Sequence, residues 1–278
     1  MAADRTAVLR ELASRILAAL PFAEEALLTG SAARGECDEL SDVEMLLAAR
    51  TLPPVAAVGE ALRDAGFETA EEGELADGQA LWVRGEAGVE CFEFLGWTHA
   101  RVEERIEGIL AGTMLDHGRI RFAEAVIHGV PLRTAGAAAA WQERLAAYPP
   151  GLAEKIVVAA VTEWSEPPRS VAAHLRPGGR VPLTQLLFED AENVLRLVFA
   201  LNEVWEPGWK RLPQIVAPLR IAPDGLPERV EAALSEPDPR RALRTMRELV
   251  RDTLALAPDL EPVAVARRQT AALLEQLA

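Results

Sequence analysis

The chain has 278 residues, 50% hydrophobic and 26% charged, with 29 basic against 43 acidic side chains and a formal net charge of -14. That profile argues against collagen-like, disordered and membrane-spanning chains and leaves room for one large or two medium domains with full cores; it also makes a nucleic-acid-wrapping surface a poor expectation. Residues 1–133 hold 24 acidic against 12 basic side chains, a balance of -12, and residues 134–278 hold 19 against 17, a balance of -2, which fits two domains and a front half whose field draws cations.

Leu9, Leu12, Ile16 and Leu20 recur at helical spacing, so residues 4–20 are expected to form an amphipathic helix ended by Pro21. A short apolar run, Ala26, Leu27 and Leu28, stops at Gly30 and predicts a buried strand turning at a glycine. Residues 42–48 alternate polar and apolar as a strand does, and 54–66 have a helical pattern that closes at Gly66. Segments 67–73, 80–85 and 89–95 are short, separated by Gly- and Glu-rich turns, and expected to be strands, so the front half is mixed α and β.

Beyond Thr134 the pattern changes. The alanine-rich stretch 137–147 opens a half with little strand signal, in which Leu183, Leu187, Val194, Val198 and Leu201 mark one long buried helix. Further helices are expected over 151–164, 225–235, 239–256 and 262–277, with proline-containing links between them. The fold class expected is therefore α+β, with a mixed-sheet domain over 1–133 followed by an all-helical bundle domain over 134–278.

Cys37 and Cys91 are the only cysteines and are expected to be free thiols, since two cysteines make no disulfide framework in a chain of this size. No two of His99, His117, His128 and His174 lie within four residues of each other, so helical metal pairs are absent. Asp4 and Glu11 stand where a signal peptide would be basic and then apolar, and no run of about 18 apolar residues occurs, so a cytoplasmic protein with no membrane partner is expected.

The informative segment is LLTGSAARGECDELSDVEMLLA, residues 27–48. It predicts a strand, a Gly-Ser turn, a small-residue turn carrying Arg34 and Gly35, and an acidic loop entering a second strand. Side chains alternate along a strand, so Asp42 and Glu44 share one face while Val43, Met45 and Leu47 share the other. Carboxylates held this close repel, which calls for a cation, and hard oxygen ligands select magnesium or manganese over zinc. Backbone N–H groups and the hydroxyl at Gly30-Ser31, where a short helix is able to begin, suit phosphate oxygens. A metal beside a phosphate cradle points to a nucleotide.

With Gly30, Ser31, Arg34, Gly35, Ser41, Asp42 and Glu44 in that order and spacing, the chain resembles the nucleotidyltransferase superfamily of DNA polymerase beta. Within it, GSAARGECDELSDVE looks like the antibiotic nucleotidyltransferases of the lincosamide-modifying branch, in which Glu takes the second acidic position. The resemblance implies transfer of a nucleoside monophosphate, AMP from ATP, onto a hydroxyl of an aminoglycoside, a lincosamide or a similar acceptor, which an acidic front half would suit if cationic. It implies two magnesium ions bridged by Asp42 and Glu44, and a third carboxylate from the next long strand that completes one metal site or takes the hydroxyl proton. Glu90 and Glu93 compete for that place on opposite strand faces, and Glu90 is preferred for its position directly after the Gly88-Val89 turn. Ser31 and neighbouring amides would hold phosphates. Arg34 would add charge there or pin the acidic loop through Glu36 or Asp38. Lys210, directly after the Pro-Gly turn that Trp205 and Trp209 flank, would reach a phosphate or stand exposed beside core tryptophans, and Glu189 and Asn193, one helical turn apart, would read acceptor hydroxyls or serve structure. Two other functions stay open: nucleotide binding without transfer, and a toxin-antitoxin type transferase acting on protein or RNA.

Overall fold

The computed structural model describes residues 2–75 and 78–278 and divides the chain into two compact units. The first takes in the chain through Met114 together with Gly118–Ala147; the second takes in Leu115–His117 and Tyr148–Ala278.

The first unit opens with helix α1 (Ala2–Ala18), strand β1 (Glu25–Leu28), a one-turn helix α2 (Gly30–Arg34), β2 (Val43–Ala49) and α3 (Val55–Asp64). Strands β3 (Glu68–Leu75), β4 (Ala80–Ala87) and β5 (Glu90–Thr98) follow, then α4 (His99–Ala111), α5 (His117–Ile127, whose first residue goes with the second unit), β6 (Val130–Arg133) and α6 (Ala137–Ala146). The six strands form one mixed sheet in the order β3-β4-β5-β2-β1-β6, in which β2 and β5 run parallel and the other neighbours antiparallel. A parallel pair needs a crossover rather than a hairpin, and α3 with the β3-β4 hairpin supplies it.

Alternation along the strands sorts the two sheet faces. Val43, Met45 and Leu47 of β2, Leu81 and Val83 of β4 and Phe92 and Phe94 of β5 are buried in one cluster with Leu9, Leu12 and Ile16 of α1 and Val58 and Leu62 of α3. Fully burying side chains of this size stabilises by about 1.5–3 kcal/mol each before chain entropy is counted. On the opposite face, α4 packs on β5 and β2, and Trp97 lies edge-on to Phe122 of α5 at 5.9 Å between ring centroids. That cover sits at the far ends of β2 and β5, where Leu46, Ala48 and Trp97 are buried. The starts of both strands, where Asp42, Glu44 and Glu93 fall, are half-exposed.

The alanine-rich α6 goes with the first unit, so the compact units divide after Ala147 and not after Arg133. The cause is specific bonding that composition does not reveal. Glu25 of β1, buried, accepts backbone N–H bonds from Ala135 and Ala137 at 2.9 and 2.8 Å, and the buried Trp141 donates its indole N–H to Glu103 of α4 at 2.6 Å.

The second unit contains α7 (Leu152–Thr162), α8 (Pro168–Ala172), α9 (Arg180–Leu201), α10 (Leu212–Val216), α11 (Leu226–Ser235), α12 (Pro239–Leu256) and α13 (Glu261–Leu277), with no strand among its described residues. The long α9 packs against α7, α11 and α12, and α12 packs in turn against α11 and α13. Asp238 caps α12 by accepting from the Arg241 backbone N–H at 2.8 Å, and Pro239 opens the first turn, where its missing N–H costs nothing. Together the two units give the α+β class: a mixed sheet with its helices, then helices alone. No helix among the described residues is long and apolar enough to cross a membrane.

Candidate active site

The two halves of the 27–48 segment are joined by the sheet. The Thr29 N–H donates to the Glu44 carbonyl at 2.8 Å, which sets the end of β1 beside the start of β2. Gly30 follows at φ +64, the left-handed region, and a Cβ there would fall inside the Glu44 carboxylate. Only glycine meets both demands, and the Glu44 side chain therefore rests against the first residue of α2. Helix α2 ends one turn later at Gly35, whose φ of +71 forms a left-handed cap donating to the Ser31 carbonyl. Ser31 itself sits half-exposed in that turn.

The loop from Glu36 to Ser41 is fastened at its base. Ser41 Oγ donates to Asp38 Oδ1 at 3.0 Å and accepts from the Asp38 N–H at 2.9 Å, and Arg5 of α1 donates to the Ser41 carbonyl at 2.8 Å. Asp42 then enters β2 from a fixed point. Arg34 donates to Glu36 at 3.0 Å and to Glu124 of α5 at 3.1 Å. Burial pushes the Glu124 carboxyl above the usual carboxylate range, with Arg34 opposing the shift and the charge of nearby Glu44 adding to it. Arg34 thus ties α2 to α5 a short way from the acidic strand.

Register sorts the two candidates by face: it puts Glu93, and not the preferred Glu90, on the strand face of Glu44. In the parallel pair Glu44 stands opposite Glu93, and in the antiparallel pairs Glu93 stands opposite Arg84 and Arg84 opposite Glu71. Partners directly opposite share a face, so Glu71, Arg84, Glu93 and Glu44 form one row across four strands. Glu90 is in phase with Phe92 and Phe94, on the face of α1, where Arg5 takes both of its oxygens and holds its carboxyl below the usual range. Arg84 donates twice to Glu93 Oε2, at 3.2 and 2.9 Å; that bond first, and the charges of Glu71 and Asp42 after it, keep the guanidinium charged.

Hard carboxylate oxygens on one face are the donor chemistry a magnesium ion takes, and the Asp42–Glu44 pair fits that requirement. Among the described residues no three His, Cys, Asp or Glu side chains converge as a metal-holding group. Arg84 occupies Glu93 in this arrangement.

The remaining sequence candidates belong to the second unit. Lys210 is exposed in a 3₁₀ turn (Trp209–Arg211), and Trp209 donates its indole N–H to the fully buried Glu206 at 2.7 Å. Glu189 accepts from Gln185 at 2.8 Å on the exposed side of α9, and Asn193 is buried one turn on. Sequence reasoning passed over Arg5 and Arg84, the two cations that sort the carboxylates. Arg84 had a readable signal, since it falls in the segment 80–85, an expected strand separated by a short turn from the 89–95 strand that carries Glu93; Arg5 had none, being 85 residues from its partner.

No family model matches the chain, and no curated protein matches it. Among solved structures it is similar to a nucleotidyltransferase-like protein from Exiguobacterium sibiricum 255-15, at 11% identity, with 98% of this chain and 89% of that one covered and a TM-score of 0.41.

Proposed function

We propose that this chain is a metal-dependent nucleotidyltransferase that moves a nucleoside monophosphate, AMP from ATP, onto a hydroxyl of a small molecule such as an aminoglycoside or lincosamide antibiotic. The observation that supports it is the seating of Glu44 on Gly30: the acidic strand and the Gly-Ser helix start meet at one point, with Asp42 immediately ahead of the strand. Asp42 and Glu44 are the ligands of the magnesium site, and a bound ion there supplies Lewis-acid stabilisation of charge developing on phosphate oxygens. In the reaction the acceptor oxygen bonds to the α-phosphorus, the bond from that phosphorus to the bridging oxygen breaks, pyrophosphate leaves, and the hydroxyl proton passes to a carboxylate. Glu93, in the row of Glu44, replaces Glu90 as the carboxylate for that task once Arg84 releases it. Gly30 and Ser31 border the phosphates, and Arg34 adds positive charge beside them. The acidic front half favours an amine-bearing acceptor.

The hold of Arg84 on Glu93 favours a second reading, nucleotide binding without transfer. Incubation with magnesium, each α-labelled nucleoside triphosphate and a panel of hydroxylated antibiotics separates the two. Label appearing on an antibiotic is expected; triphosphate binding with no labelled product would select the second reading, and no binding in the presence of magnesium would reject both.

A further inference from the structure

In the second unit, Glu206 is fully buried just beyond the end of α9. Its Oε1 accepts from the Trp209 indole at 2.7 Å, which fixes the carboxylate's orientation, and stands 3.0 Å from His117 Nδ1, at ion-pair separation though off the line of a ring N–H bond. Its Oε2 is occluded with no hydrogen-bond partner. A buried carboxylate with one oxygen unmet is costly unless a positive or proton-bearing group lies against it, and His117 is the group at hand. The imidazole is 23% exposed, and Nδ1, the nitrogen turned toward Glu206, is its occluded atom. The other nitrogen, Nε2, is not among the occluded polar atoms and has no hydrogen bond among the described residues.

Beside it stands an apolar platform. The Trp209 ring lies 4.8 Å from the His117 ring and 5.7 Å from that of Phe188, measured between centroids, and Phe188 is 48% exposed. A large aromatic side chain left half in water next to an accessible imidazole nitrogen is the composition of a ligand site: apolar aromatic surface, its two rings tilted 51° to each other, with one placed polar atom.

We propose that His117, Trp209 and Phe188 form a binding site for a hydroxyl-bearing ring compound, in which the ring packs against the two aromatic side chains and the hydroxyl donates to His117 Nε2. Glu206 lies against the Nδ1 edge of the imidazole and leaves Nε2 clear of it. The site stands on the second unit alone and does not depend on the nucleotidyltransferase reading.

Carbethoxylation by diethylpyrocarbonate, mapped by peptide mass spectrometry over the four histidines, reads the accessibility of each. In this reaction the unprotonated imidazole nitrogen bonds to a carbonyl carbon of the reagent, which releases carbon dioxide and ethanol, the latter taking up a proton. His117 is expected to react through its accessible Nε2, and the rates at His99, His128 and His174 report an intact fold. Phenol and methyl β-glucopyranoside, an aromatic and a saturated hydroxylated ring, serve as protecting probes. Slowing at His117 by either supports the site and tells which ring it takes, and Phe188→Ala should abolish that protection while the other three histidines keep their rates. No protection of His117 by either probe, or protection that survives Phe188→Ala, would each overturn the proposal.

Discussion

At Glu90 the carboxylate faces the Arg5 guanidinium on the core side of β5, and three residues later Glu93 faces Arg84 on the half-open side. Glu93→Gln is therefore expected to cost about 10²–10⁴ in transfer rate, the range of a general base, with triphosphate affinity nearly unchanged. Glu90→Gln is expected to leave the rate near wild type and to lower stability by about 1.5–3 kcal/mol, the worth of a charge-assisted hydrogen bond. Because the folded Glu90 carboxyl is held below its ordinary value, its stabilisation is complete above the unfolded value and disappears as pH falls through the depressed one. The melting gap between wild type and Glu90→Gln should accordingly close in strong acid; a gap that persists there would remove the Arg5 pair as its cause. For Asp42→Asn and Glu44→Gln the expected signature is the reverse, activity at background with no loss of melting temperature, since each relieves like-charge repulsion on one strand face. Substantial turnover in either would rule out their role as metal ligands. The face that Glu93 shares with Glu44 was legible in the residues themselves. Phe92 and Phe94 flank Glu93 with period two and mark the core face, which puts Glu90 in the aromatic phase; proximity to the Gly88-Val89 turn was the weaker guide.

Elements built on strong periodicity were read almost in place, and elements held by single polar contacts were not. Helix α12 runs from Pro239 to Leu256, the span its apolar spacing and proline start predict, because an exposed arginine face and a buried Leu243, Met246, Val250 and Leu254 stripe state the same period twice. Strand β6, four residues at the sheet's edge, went unpredicted: Val130–Arg133 is too short for alternation to speak. What fixes it is Arg133, which donates to the carbonyls of Leu17, Leu20 and Ala23 at 2.8–2.9 Å, over 100 residues away along the chain. Those bonds reach carbonyls at and beyond the end of α1, where Leu17 and Leu20 otherwise accept only from the turn N–H groups of Leu20 and Ala23. Arg133→Ala should strip three charge-assisted bonds at once and lower stability by about 3 kcal/mol or more, and Arg133→Lys should recover only part, a point charge being unable to fork across three acceptors. Chemical denaturation of the pair checks it, and a loss under 1 kcal/mol in the alanine variant would mean that solvent already serves those carbonyls. The same logic explains α6, whose alanines read as the opening of the helical half while Glu25 and Glu103 bind it to the sheet.

On the scale of the whole molecule, the chain divides into units with different kinds of interior. The first unit's sheet core is apolar, whereas the second unit buries an ion pair: Asp190 of α9 and Arg247 of α12 lie 3.2 Å apart, both almost wholly out of water, with the Trp164 indole donating to the same Asp190 oxygen at 2.9 Å. Burial raises the Asp190 carboxyl to about 6 against the pull of Arg247 and Trp164. A carboxyl whose folded value exceeds its unfolded one contributes stability that is complete below the unfolded value and is lost as pH rises through the folded value, here between about 4 and 6. Removing Arg247 removes an interaction that favours the charged form, so Arg247→Leu should push that value higher and leave an unpartnered charge buried at neutral pH. The expected cost is about 3–5 kcal/mol at pH 8, the range for breaking a buried pair from one side, and distinctly less at pH 5, where the proton can neutralise Asp190. Asp190→Asn together with Arg247→Leu should recover much of the loss and flatten the pH dependence, since neither charge remains. Melts of the single and double variants at both pH values measure this, and a penalty for Arg247→Leu that is equal at pH 5 and pH 8 would show that the arginine acts by packing its stem and not by holding the Asp190 charge.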